Sequence, residues 1–73
     1  MSQTQTLLNH LEEGHSITSL EALNRFGIAR LASRINDLRQ AGHEITRVMV
    51  PVQNREGNTV YVARYALRGE RHE

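Results

Sequence analysis

An α+β fold, three helices followed by a two-stranded β-hairpin, is predicted by three observations on this 73-residue chain. Apolar residues recur at helical spacing up to Gly42, most clearly as Leu31, Ile35 and Leu38. Glycines at 14, 27 and 42 fall where those periodic stretches would end. Beyond Gly42 the composition turns β-rich: Ile45 to Val52 and Val60 to Leu67 are separated by the polar run Gln53-Asn54-Arg55-Glu56-Gly57-Asn58.

Each element has a local reason. Ser2 or Thr4 can cap a first helix to about Glu13, with Leu7, Leu8 and Leu11 as its apolar stripe and Gly14 ending it. After a short extended piece at His15 to Ile17, Thr18 followed by Glu21 forms a capping box for a short second helix. In that helix Leu20, Leu23 and Phe26 are expected to face inward until Gly27 breaks the turn. The third helix runs from about 29 to 41. In the second strand Tyr61, Ala63, Tyr65 and Leu67 share a face, whereas the first strand is apolar on both faces and its Pro51 argues for an edge position or a bulge. From Arg68 onward no apolar anchor remains, so the domain is taken as 1–67 with a flexible tail at 68–73.

Size and inventory exclude much else. A chain of 8.3 kDa buries only about 60% of its unfolded surface, which supports one small core and leaves little room for a deep substrate cleft. There is no cysteine nucleophile, no G-x-x-x-x-G-K phosphate loop and no lysine for a Schiff base, so no enzyme and no cofactor are expected. His10, His15, His43 and His72 lack metal-ligand spacing and are expected as separate surface residues, His43 structural in the helix-to-strand turn; no metal is expected. The longest apolar run, Val48 to Val52, is far short of the ~20 residues of a membrane span. The N-terminus lacks the charged and apolar regions of an export signal, and zero cysteines suit a reducing compartment, so a cytoplasmic location is expected.

Charge is informative in its arrangement. The formal sum is only +1, yet every one of the nine basic residues is arginine. Glu12, Glu13 and Glu21 lie in the first 24 residues with no basic residue among them, and all the arginines lie beyond. Arginine offers a planar fork of donors suited to bidentate contacts with phosphate and guanine edges; a plain compositional bias is the bland alternative.

Three helices and then a hairpin, with the second and third helices only two or three residues apart, is the order of a winged helix-turn-helix. The stretch from Leu20 to Ile45 resembles winged-helix transcription regulators. The resemblance is carried by Leu20, Ala22 and Leu23 in the second helix, Gly27-Ile28 in the turn, Leu31, Ile35 and Leu38-Arg39 in the third helix, and Gly42 and Ile45 entering the wing. The chain is most similar to small stand-alone helix-turn-helix proteins of phage and prophage genomes, and more distantly to the N-terminal DNA-binding domain of the biotin repressor. It departs from the latter in a link about two residues shorter, with no Ser, Thr or Asp cap before Ala29. The resemblance implies double-stranded DNA as partner, the third helix in the major groove and the wing on the backbone or in the minor groove.

With Leu31, Ile35 and Leu38 buried, a helical wheel turns Ala29, Arg30, Ser33, Asn36, Asp37 and Gln40 outward and leaves Arg34 on the shoulder. The N-terminal part of a recognition helix meets base edges, which favours Arg30, Ser33 and Arg34, with Ala29 able to meet a thymine methyl. Arg30 and Arg34, one turn apart, could divide guanine and phosphate between them. Asp37 could accept from a cytosine amine or orient Arg34; equally, Arg34 and Asp37 could form a solvated i, i+3 pair. Arg55, with Asn54 and Asn58, sits at the wing tip, where a solvated turn is the alternative. The candidate DNA contacts are therefore Ala29, Arg30, Ser33, Arg34, Asp37 and Arg55. The expected function is a small phage-like transcriptional regulator. An architectural or recombination-directionality factor and a protein-interaction module stand as alternatives. No small-molecule effector domain is expected, and homodimerisation through the first helix or the wing strands is left open.

Overall fold

The computed structural model describes residues 2–68. Helix α1 (Gln3–Glu12) leads into a two-residue strand β1 (Ile17–Thr18), then α2 (Ser19–Phe26), α3 (Leu31–Gln40), β2 (Ile45–Gln53) and β3 (Thr59–Leu67). The three strands form one antiparallel sheet in the order β1-β3-β2. This corrects the expected two-stranded hairpin. Ile17 and Thr18 pair with Tyr65 and Arg64, a contact across most of the chain that a two-residue strand announces with no periodic pattern of its own.

The helix ends follow their local chemistry. Ser2 caps α1 by accepting from the Gln5 N–H, and Thr18 and Glu21 form the reciprocal capping box at the start of α2. Gly27 ends α2 in the left-handed conformation, φ 69°, with its N–H on the Leu23 carbonyl. Gly42, φ 104°, ends α3 in a two-bond Schellman closure: its own N–H reaches the Arg39 carbonyl and the His43 N–H reaches that of Leu38.

The core gathers Leu7 and Leu11 from α1, Ile17 from β1, Ala22 from α2, Ile28 from the turn, Leu31, Ile35 and Leu38 from α3, Ile45 from β2 and Tyr65 from β3. Two expectations for α2 are corrected: Leu20 and Leu23 are 66% and 49% exposed. Ala22 is fully buried and Phe26, four residues on, packs against the core. The inward face of this short helix is thus set by a small residue that lets α2 approach closely, and the leucines lie on its outer side.

The histidines also need correction. His10 is buried and its ring stacks on that of His15, centroids 4.8 Å apart, with Phe26 edge-on at 5.2 Å. Its Nε2 lies 3.3 Å from the Ser16 carbonyl, an acceptor only, so this nitrogen donates. The turn at Gly14 folds His15 back over the last turn of α1, a proximity that linear spacing does not encode.

In the sheet, Tyr61, Ala63, Tyr65 and Leu67 of β3 share one face as expected; the last three pack on the helical core, while Tyr61 lies beyond it and is 64% exposed. Pro51 lies in β2, an edge strand. All residues from Pro51 to Tyr61 are exposed, so the outer half of the hairpin lies outside the core, with Val52 and Gln53 lining a groove shared with Thr18 to Glu21 at the start of α2. The Arg68 N–H donates to the Glu44 carbonyl at 2.8 Å, one step beyond the last residue of β3; residues 69–73 of the expected tail lie outside the described residues. No helix among the described residues is long and apolar enough to cross a membrane.

Candidate nucleic-acid interface

Helix α3 begins at Leu31, two residues later than its sequence pattern suggests. Ala29 therefore sits exposed in the turn, not on the helix, and Arg30 is the N-cap residue. The Arg30 carbonyl accepts the first intrahelical bonds, from Ser33 and Arg34, but its side chain makes no cap. The N–H groups of Leu31 and Ala32 have no partner among the described residues. An uncapped helix start concentrates unpaired donors and the positive end of the helix dipole at one spot.

The arginines divide into committed and free. Arg64 donates to the Ser16 hydroxyl at 2.9 Å and lies 3.5 Å from the Glu21 carboxylate, so it ties β3 to the β1–α2 junction. Arg39 donates from Nε and Nη2 to the Ile45 carbonyl at 3.2 and 2.8 Å. Arg34 pairs with Asp37 at 3.3 Å, and its Nε is buried without a hydrogen-bond partner among the described residues. Arg25, Arg30, Arg47, Arg55 and Arg68 have no side-chain partner among the described residues.

Of the sequence-derived candidates, Arg30, Ala29 and Asp37 are exposed around α3, while Ser33 and Arg34 are half-buried. Arg55 is separate from them, at the hairpin tip. Asn54 beside it holds the turn together, its Oδ1 accepting from the N–H groups of Glu56 and Asn58, both at 3.0 Å. Arg25, in the last turn of α2, is a further free arginine outside the α3 and wing positions that the sequence pattern points to. Its lack of any acidic residue at i±3 or i±4 other than Glu21, already engaged in the capping box, was the available signal. Among the described residues no group of three or more His, Asp or Glu side chains is placed to hold a metal ion.

The arrangement offers an exposed helix face led by a free arginine and an uncapped N-terminus, and a projecting hairpin tipped by a second free arginine. Comparison with known proteins returns a family model described as winged helix-turn-helix domain, matching residues 2–70. Comparisons with curated proteins and with solved structures return no match. On nearly its whole length, in the order of its helices and in its hairpin, the chain belongs to the winged helix-turn-helix domain family.

Proposed function

We propose that this domain binds double-stranded DNA, placing α3 in the major groove and the β2–β3 hairpin on the backbone or in the minor groove, and acts as a small transcriptional regulator of the phage type. The observation that carries this reading is the start of α3: an uncapped helix N-terminus beside the unpaired Arg30. Free N–H groups there suit a phosphate, and a side chain fixed at its backbone but free at its guanidinium can reach a base edge. Arg55 supplies the second attachment at the hairpin tip, and Arg25 flanks the turn as a further phosphate contact.

Arg34 then serves through its pair with Asp37. The carboxylate holds the guanidinium plane, and Ser33, half-buried beside it, lines the same first turn. Ala29 meets the DNA from the turn ahead of the helix, and Asp37 orients Arg34 rather than touching phosphate. A different reading, a winged helix that docks on protein, is favoured by the net charge of only +1.

Selection on a random duplex pool followed by titration at two salt concentrations separates them. Enrichment of a defined site, preferred over a scrambled duplex by ~10³ or more and weakening with salt, supports the DNA reading. Absence of both enrichment and salt-sensitive binding overturns it in favour of a protein partner.

A further inference from the structure

We propose that a second copy of this chain pairs with the open edge of β2, antiparallel and centred on Val48, to join the two sheets into one. The direction of each backbone group along β2 decides what that edge can bind. Asn54 N–H bonds to the Asn58 carbonyl at 2.9 Å and Arg68 N–H to that of Glu44 at 2.8 Å, and the β2–β3 register lies between these two rungs. In an antiparallel ladder a residue turns its N–H and C=O to the same side, and the side alternates. The even-numbered residues of β2 therefore bond to β3, and Ile45, Arg47, Met49, Pro51 and Gln53 turn their backbone groups to the open edge.

That edge is blocked at two points. The Ile45 carbonyl is already occupied by Arg39, and Pro51 has no N–H to offer. Between them Arg47 and Met49 present complete pairs of donor and acceptor with no partner among the described residues.

Only one register makes both blocks harmless. With Val48 opposite the partner's Val48, Arg47 and the partner's Met49 exchange both of their bonds, and the symmetry repeats this. Ile45 N–H then meets the partner's Pro51 carbonyl. The bond absent at each end of the ladder would run from position 51 N–H to the Ile45 carbonyl; proline lacks that N–H, and the carbonyl is already satisfied by Arg39, so nothing is orphaned. Centring on Arg47 or Thr46 instead drives an N–H against the occupied Ile45 carbonyl. Centring on Met49 or Val50 sets an edge carbonyl against the missing proline N–H. An edge whose defects cancel only against itself selects a copy of the same chain as its occupant.

The side chains agree. Val48, 57% exposed on the sheet face away from the helices, meets its own copy, and Val50 lies opposite the partner's Thr46. Arg47 falls opposite Met49, so no like charges are set directly across the seam. The two-fold axis runs perpendicular to the sheet and leaves both helical layers on the same side.

A cysteine-free chain gives a direct test. Val48 faces its copy across a non-hydrogen-bonded pair with Cα atoms about 4.5 Å apart, inside the range of roughly 4.4–6.8 Å that a disulfide spans. Mild oxidation of Val48→Cys should give a covalent species at twice 8.3 kDa, and Val60→Cys, on the same face but in the central strand, should not. By sedimentation without DNA, the unmodified chain should be dimeric at micromolar concentration. Met49→Pro, which removes an edge N–H unused by the hairpin, should lower the dimer fraction at least tenfold. Because that change strains a strand, Val48→Lys provides the same readout at an exposed position, and mixing it with Val48→Glu should restore the dimer. A monomeric unmodified chain at millimolar concentration overturns the proposal. So does equal cross-linking of Val60→Cys, which would mean face-to-face stacking. None of these readouts involves DNA, so they stand or fall apart from the DNA-binding reading.

Discussion

Arg30 and Arg34 are one helical turn apart, yet their surroundings give them different roles. Arg30 is exposed and free at its guanidinium, whereas Arg34 is half-buried and held by Asp37. Arg30→Ala should thus leave the thermal midpoint unchanged and cost about 1–3 kcal/mol in binding to a selected site, with relaxed preference at one base pair. Competition titration against single-base variants of that site measures both. An equal loss on every duplex would reassign Arg30 to phosphate. Gly27 is a residue whose importance is purely conformational. A Cβ added there meets no heavy atom within 4 Å, but its φ of 69° is one that L side chains rarely adopt. Gly27→Ala should therefore destabilise by about 1 kcal/mol through backbone strain alone. Urea unfolding would show it, and Gly27→Asn should recover part of the loss.

At the scale of elements, the most local signals carried furthest. Thr18 and Glu21 lie three residues apart, and the capping box needs nothing beyond that spacing. Thr18→Ala should cost about 1 kcal/mol of global stability, read as a lower denaturation midpoint with unchanged slope. Leu31, Ile35 and Leu38 were readable because a ten-residue helix repeats its buried face often enough to reveal the period. In α2, eight residues long, three leucine and phenylalanine positions fitted an apolar stripe, but Ala22 took the buried position. Hydrophobicity alone does not disclose where two backbones must approach closely. β1 was unreadable for another reason: its partners, Tyr65 and Arg64, are 48 and 46 residues away in sequence. The candidate site followed the same rule. Arg30 and Arg55 are singled out by position alone, at a helix start and in a turn, whereas the engagement of Arg39, Arg64 and Asn54 depends on contacts that only the folded chain creates.

For the molecule as a whole, charge is distributed so that a nearly neutral chain still carries unpaired cations. The carboxylates of Glu21 and Asp37 are matched to arginines, and the arginines left over lie on α2, the start of α3 and the hairpin. If Arg25, Arg30 and Arg55 each meet a phosphate or base, the logarithm of affinity should fall against the logarithm of salt with a slope of roughly −2 to −3 per protomer. Fluorescence anisotropy across a salt series measures this, and Arg55→Ala should make the slope shallower by about one. A slope near zero would show that these arginines do not meet the backbone.

The hairpin's exposed outer half has one more consequence. No residue from Pro51 to Tyr61 is buried or part of the core, so the core does not depend on how far the ribbon extends. Strand alternation does impose a unit of change. Excising Val52, Gln53, Thr59 and Val60 together removes two whole rungs, joins Pro51 to Asn54 and Asn58 to Tyr61, and keeps every remaining side chain on its own face. Such a chain should melt at the same temperature as its parent, whereas deleting Val52 alone should slip the pairing. Calorimetry on the two deletions distinguishes them. The arm that carries Arg55 is in this sense an adjustable spacer, its reach free to lengthen or shorten in steps of two rungs while the rest of the domain stays as it is.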